Sequence, residues 1–213
     1  TMLTPVSRRR PWKLASETAT LDALSGGRVI LAVGLGAPET GFANFGEVTE
    51  RKTRAELLDE GLDIITGLWQ GQPFNYAGKH YRVSETHFSP PPPPVQQPRI
   101  PIWVGGFWPN KAPFRRAAQW DGVFPLFQTW EEAEELAQLE AVIAYVKAHR
   151  RQESPFDVVC VGMTPGADPA RAAAMVSQRE QRGATWWLET LHPMRVPFAE
   201  VLRRVEAGPP REL

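Results

Sequence analysis

Apolar residues recur along this chain in two alternating rhythms: short unbroken runs, and longer stretches with helical spacing. The run RVILAVGL (28–35) is apolar at nearly every position, as a strand covered on both faces requires, the usual situation in a parallel sheet. IPIWVG (100–105), GVFPLF (122–127) and residues 156–164 and 184–191 read as further strands, and TMLTPV (1–6) reads as the end of another. Residues 11–24 set Leu14, Thr18, Leu21 and Leu24 at helical spacing behind Pro11, a residue suited to a first turn. That helix is expected to close at Ser25-Gly26-Gly27, where glycine can turn left-handed. Residues 50–69 form a long amphipathic helix with Leu57, Leu58, Leu62, Ile65 and Leu68 as its inner stripe. Helices are also predicted over 109–120, 130–150, 168–182 and 197–207. FNYAGKHYRV (74–83) alternates around Ala77-Gly78 as a hairpin, and Ser89 with Pro90 to Pro94 makes a stiff extended connector, so an insertion is expected at about 70–99.

This alternation predicts about six strand–helix units in an α/β layer system. An eight-unit barrel takes about 250 residues, so counting back from the last unit makes the opening strand the third. The expected fold is an incomplete TIM (β/α)8 barrel, roughly strands 3 to 8 with their helices, as a single partial barrel domain over 1–213. On that count the first two strands lie outside the chain. A doubly wound open sheet fits the bare alternation equally well.

Composition narrows the function. Lys+Arg and Asp+Glu each total 24, a formal charge of zero, which argues against a nucleic-acid footprint and against a polybasic membrane surface. The lone cysteine, Cys160, has no partner for an internal disulfide and sits in Val158-Val159-Cys160-Val161, where it reads as a small buried hydrophobe. No Cys/His cluster has zinc spacing, so no metal site is expected. Nothing approaches the ~20 apolar residues of a membrane span and no signal peptide opens the chain, so a cytoplasmic protein is expected.

Candidate chemistry gathers at the ends of strands. Gly34-Leu35-Gly36 invites a dinucleotide fingerprint, but Ala37-Pro38-Glu39 follows and the next glycine is Gly41. The remaining readings are a backbone that a flat ring approaches, or a sharp turn into the next loop. Gly105-Gly106 ends another strand before a helix, a natural anion site to which Lys111 and Arg115 add charge unless they are plain surface cations. Thr4-Pro5-Val6 and Arg8-Arg9-Arg10 cap the opening strand. Pro125, Leu126 and Phe127 end the sixth strand, as pocket wall or as core. Of the histidines, His80 and His87 fall on the amino-terminal side and His149 in the last turn of a helix. His192 follows the last strand, with Glu189 at that strand's end, so the pair can relay a proton or form an ordinary loop. Trp186 and Trp187 alternate across the same strand.

Several of these segments together resemble one family. TPVSRRRPWKLASETATLDALSGGRVILAVGLG (4–36), RIPIWVGG (99–106), RRAAQWDGVFP (115–125), the hairpin with its proline block, and more loosely GATWWLE (183–189) are similar to the luciferase-like monooxygenases, flavin- or F420-dependent oxidoreductases of the bacterial luciferase superfamily. The resemblance implies a barrel holding FMN, or alternatively F420, at the carboxy ends of its strands. The chemistry implied is hydride transfer or oxygenation of a small organic substrate. Carried over position by position, it makes Thr4, Pro5, Gly34, Leu35, Gly36, Gly105, Gly106, Lys111, Pro125 and Phe127 the candidate cofactor contacts. His192 and Glu189 are the candidate catalytic pair. The partners it implies are a small-molecule substrate, a flavin reductase and further copies of the chain, since open strand edges favour association; neither nucleic acid nor membrane is expected. A non-catalytic flavin-binding or partner subunit lacking the first two barrel strands is the alternative.

Overall fold

The computed structural model describes residues 2–87, 93–191 and 197–208; residues 89–92 of the proline block and His192 lie outside the described residues. Strands and helices alternate in chain order: β1 (Thr4–Pro5), α1 (Pro11–Ser25), β2 (Leu31–Gly34), α2 (Arg51–Gln70), the hairpin β3 (Phe74–Ala77) and β4 (Arg82–Thr86), β5 (Ile102–Phe107), α3 (Lys111–Ala117), β6 (Gly122–Leu126), α4 (Glu132–His149), β7 (Asp157–Gly162), α5 (Pro169–Glu180), β8 (Trp186–Glu189) and α6 (Phe198–Ala207). The chain divides into two compact units, Thr1–Gly106 and Phe107–Leu213. The class is α/β, as predicted: β1, β2 and β5 run parallel in the first unit, and β6, β7 and β8 in the second.

In the first unit β2 is buried throughout and β5 over residues 102–105, with Leu31, Val33 and Ile102 fully enclosed. The inner face of α2 carries Leu58, Leu62, Ile65 and Leu68 as expected, with Ile64 and Trp69 also buried, while Leu57 is only half-buried. Trp69 satisfies its indole N–H by donating to the Ala15 carbonyl at 3.0 Å, which ties α2 to α1. The face of α1 differs from the predicted one. Leu21 and Leu24 point out, and Ala15, Ala19 and Asp22 are buried beside Leu14 and Thr18. A polar partner explains the rotation: the Asp22 carboxylate is fully buried and accepts from the backbone N–H of Gln96 at 3.1 Å and from its Nε2 at 2.6 Å. The left-handed Gly26 (φ 64) closes the helix where predicted.

The β3–β4 hairpin is clasped to α2 by two carboxylates. Glu60 accepts from three successive backbone amides, Lys79 at 2.9 Å, His80 at 3.0 Å and Tyr81 at 2.9 Å. Desolvation pushes its pKa up, but those amide bonds outweigh it and leave the value below the ordinary one. Glu56 takes hydrogen bonds from Lys79 and His80, which hold its pKa down at about 2 against an ordinary 4.5. Both groups are depressed in the fold, so their stabilisation is complete above the ordinary value and is lost as the pH falls through the folded one. Hydrogen-exchange protection of the Lys79, His80 and Tyr81 amides is therefore expected to hold from neutral pH down through the ordinary carboxylate range and to decline only as the pH falls through the depressed value of Glu60. Undiminished protection at the acid end would refute the clasp.

In the second unit Val123, Phe124, Val158, Val159 and Cys160 form the buried strand layer, covered by Leu139, Val142 and Val146 of α4. Burial pushes the Cys160 thiol up to about 12, so it is no reactive nucleophile. An alkylating reagent at pH 8 is expected to label it only after unfolding; labelling of native protein would contradict the packing. The guanidinium of Arg179 on α5 is buried and bonds to Glu135 and Glu132 of α4. By contrast α6 buries none of its residues, and Phe198, Leu202 and Val205 stay exposed.

Candidate functional site

In parallel α/β folds ligands meet the carboxyl ends of strands, where loops and helix starts converge. In the first unit, register sets that edge. Pro5 pairs with Gly34, and Val33 with Val104, so Pro5, Gly34 and Gly105 stand level, where β1 and β2 end and two residues short of the end of β5. Thr4 is buried beside Val33. Among the described residues the cis peptide bonds precede Pro73, Pro98 and Pro109, and the Thr4–Pro5 bond is not one of them.

The bare α-carbons at this edge are covered by the chain's own side chains. A methyl group on Gly105 would meet Leu3 Cδ1 at 2.7 Å, and Leu3 also lies over Gly34. Gly36 has φ 72, and a methyl there would meet both Phe42 and Pro5 at 2.8 Å. Glycine is thus required at Gly36 twice over, by its left-handed backbone and by the packing of Phe42. Phe42 is itself fully buried, with the guanidinium of Arg8 4.4 Å and that of Arg54 5.4 Å from its ring centre.

Arg54 fixes the shape of the loop after β2. It projects from the first turns of α2, is 5% exposed, and donates from Nη1 to the carbonyls of Leu35 at 2.8 Å and Gly36 at 3.2 Å, and from Nε to that of Thr49 at 3.2 Å. Sequence reasoning missed it, although a signal existed: Arg54 stands four residues before Leu58, on the inner stripe, where a cation is enclosed only when acceptors wait for it. Arg8 pairs with Glu47 and is committed on that side; Gly106 is half-buried.

In the second unit the predicted cations behave differently. Lys111 opens α3, a helix of seven residues, and its ammonium sits 3.1 Å from the centre of the Trp108 ring and 4.9 Å from that of Tyr145. Tyr145 in turn stacks on His149. The lysine is therefore spent on an aromatic pair of its own unit. Pro125 is buried at the end of β6 and Phe127 is half-buried just beyond it.

At the carboxyl ends of β7 and β8, Glu189 is surrounded by donors. It accepts from the Thr164 backbone N–H at 2.7 Å, from Thr164 Oγ1 at 2.9 Å and from the Trp187 indole at 3.0 Å. Thr164 Oγ1 accepts in turn from Arg204 Nη2 at 2.6 Å. Its geometry is that of a strut joining β8, the loop after β7 and α6. A cleft of about 740 Å3 opens beside this chain of bonds. Thr164 and Arg204, which the sequence pattern did not single out, thus stand with Glu189, and the predicted partner His192 lies outside the described residues.

A family model described as luciferase-like monooxygenase matches residues 1–206. The chain is 31% identical over 190 residues to an uncharacterized protein of Mycobacterium tuberculosis, covering 89% of this chain and 59% of that one, so it spans less than two thirds of that relative's length. Among solved structures it is similar to the coenzyme F420-dependent tetrahydromethanopterin reductase of Methanopyrus kandleri, with a TM-score of 0.62 at 17% identity, over 87% of this chain and 74% of that one. It is also similar to the oxygenating constituent of 3,6-diketocamphane monooxygenase of Pseudomonas putida, solved with FMN, with a TM-score of 0.55 at 22% identity, over 76% of this chain and 48% of that one. At these identities the two structures establish the fold.

Proposed function

The chain belongs to the luciferase-like monooxygenase family, and on that premise we propose that it works as part of a flavin- or F420-dependent oxidoreductase or monooxygenase acting on a small organic substrate. FMN is the first group to test and F420 the alternative. The observation that carries the reading is the level edge of Pro5, Gly34 and Gly105, with the Leu35–Gly36 backbone held at its rim by a buried arginine. Such an edge offers a planar ring carbonyl and amide groups fixed in advance, and fixed geometry is what binding and hydride transfer require of a protein. Leu3, Pro5, Leu35 and Gly36 would line the ring. When bound, the group itself supplies the two-electron chemistry. We propose a single partial barrel domain over 1–213, self-association, a cytoplasmic setting and, with FMN, a separate flavin reductase as the further parts of this reading.

Leu3 gives the second reading its footing. Its side chain occupies the space over Gly105 where a ring would approach, which favours a subunit that keeps the scaffold without the reaction. The far end of a leucine rotates cheaply, so the two readings separate experimentally. FMN and F420 are titrated against the chain and against Leu3→Ala by cofactor fluorescence. The oxidoreductase reading expects saturable binding by one cofactor, tightened roughly three- to tenfold in L3A. If neither protein binds either cofactor, that reading fails for this chain.

A further inference from the structure

We propose that the cleft at the carboxyl ends of β7 and β8 takes a small organic anion, an acidic head on an apolar body, and that Arg204 distinguishes it from a neutral molecule of the same shape. The cleft of about 740 Å3 lies within the usual size range for small-molecule sites. Met163, Met175, Leu191 and Val201 supply apolar wall. Cations outnumber anions around it, with Arg171, Arg203 and Arg204 against Glu189 and Glu200.

The state of Arg204 decides the sign of the ligand. Its Nη2 donates to Thr164 Oγ1 and its Nη1 to the Gly208 carbonyl at 3.0 Å, both neutral acceptors. Its Nε is buried and has no hydrogen-bond partner among the described residues. Glu189 comes within 3.9 Å of Nη2, but its oxygens already receive the Thr164 amide and hydroxyl and the Trp187 indole. The guanidinium therefore keeps an unfilled donor, and its charge is compensated only across a gap. An anionic oxygen in the cleft supplies the missing counter-charge, and charge-assisted bonds to guanidinium are among the strongest polar contacts a site can make. A cationic ligand would meet three arginines, and a neutral one would leave the charge unanswered. Glu189 becomes a positioning residue in this arrangement: it holds Thr164, which holds Arg204.

The proposal names the substrate chemistry for the oxidoreductase reading and rests on that reading for its role in a reaction; the binding test needs no cofactor, so its outcome is independent of the FMN and F420 titrations. Octanoate, octyl phosphate and octanol are titrated calorimetrically against the 213-residue chain. Octanoate or octyl phosphate is expected to bind at least about tenfold more tightly than octanol. Arg204→Gln should bring the ratio to within about threefold while octanol affinity stays put, and Arg204→Lys should restore part of it. Ala207→Trp, which fills the cleft from α6 and leaves the charge of the arginine in place, should weaken all three ligands together. Equal affinity for octanoate, octyl phosphate and octanol overturns the proposal. So does a ratio that R204Q leaves unchanged, or anion binding that survives A207W. If R204Q fails to fold, R204K and A207W give the same decision.

Discussion

Arg54→Met is expected to lower the unfolding free energy by about 3 kcal/mol and to weaken cofactor binding by more than that loss of stability accounts for. The arginine is 5% exposed and serves three carbonyls, those of Leu35, Gly36 and Thr49. Hydrogen bonds from a charged donor contribute about 1.5–3 kcal/mol each, which would sum to more than the expected loss. Two terms reduce it: methionine returns the cost of burying a guanidinium, and the carbonyls near exposed Gly36 regain water. The rest is the loop itself. Without Nη1 the Leu35 and Gly36 carbonyls have no fixed direction, and the rim level with Pro5 loses its shape. Arg54→Lys keeps the charge but cannot fork across the same acceptors, so it should fall between the two. Urea unfolding reads the first effect, and FMN and F420 titration of the still-folded variants reads the second. Wild-type affinity in a destabilised R54M would reduce Arg54 to a purely structural role.

The alternating pattern gave away the strands and helices because each rhythm answers to one physical demand. RVILAVGL reads as a strand buried on both sides, and its middle, Leu31–Gly34, is one, with Leu31 and Val33 fully enclosed, while residues 28–30 and 35 fall outside the strand. The face of α1 was misjudged for the same kind of reason. Leu21 and Leu24 look like core by hydrophobicity, but Asp22 and Gln96 satisfy each other's polar groups from positions 74 residues apart, and no local pattern announces that pairing. The candidate site shows the same division. Gly36 was legible, since a glycine ending a buried strand signals close approach. That Phe42 and Pro5 make the approach, and that Leu3 covers Gly105, depends on rotamers and register that sequence does not carry. Lys111 looked free beside a helix start, yet its ammonium, though exposed, lies against the Trp108 and Tyr145 rings, and cation–π partners at 3 and 34 positions' distance leave no motif. Glu189 was singled out by its place at a strand's end; its role as an acceptor for three donors came only with Thr164 and Trp187 in position.

Arg179→Met should be the most damaging single change in the second unit, at about 3–4 kcal/mol. The guanidinium side chain is 4% exposed. It donates from Nε and Nη2 to one Glu135 oxygen at 3.1 Å, from Nη1 to Glu132 at 3.2 Å and to the Met175 carbonyl at 2.8 Å, and it lies 5.3 Å from the centre of the Trp187 ring. Removing it leaves Glu135, only a quarter exposed, with a charge and no counterion, and breaking one side of an enclosed pair costs more than the pair ever contributed. Glu132 is about half exposed, so Glu132→Gln should cost less than about 1 kcal/mol. The decisive variant is the double one. If the penalty comes from the stranded carboxylate, Arg179→Met with Glu135→Leu should recover most of the loss, because an apolar pair of similar volume needs no counterion. If the double variant is as unstable as the sum of the singles, packing around Trp187 is what the arginine maintains. In that case the damage should travel further: the Trp187 indole donates to Glu189, and the Glu189–Thr164–Arg204 chain would lose its anchor, abolishing the preference for octanoate over octanol at the cleft.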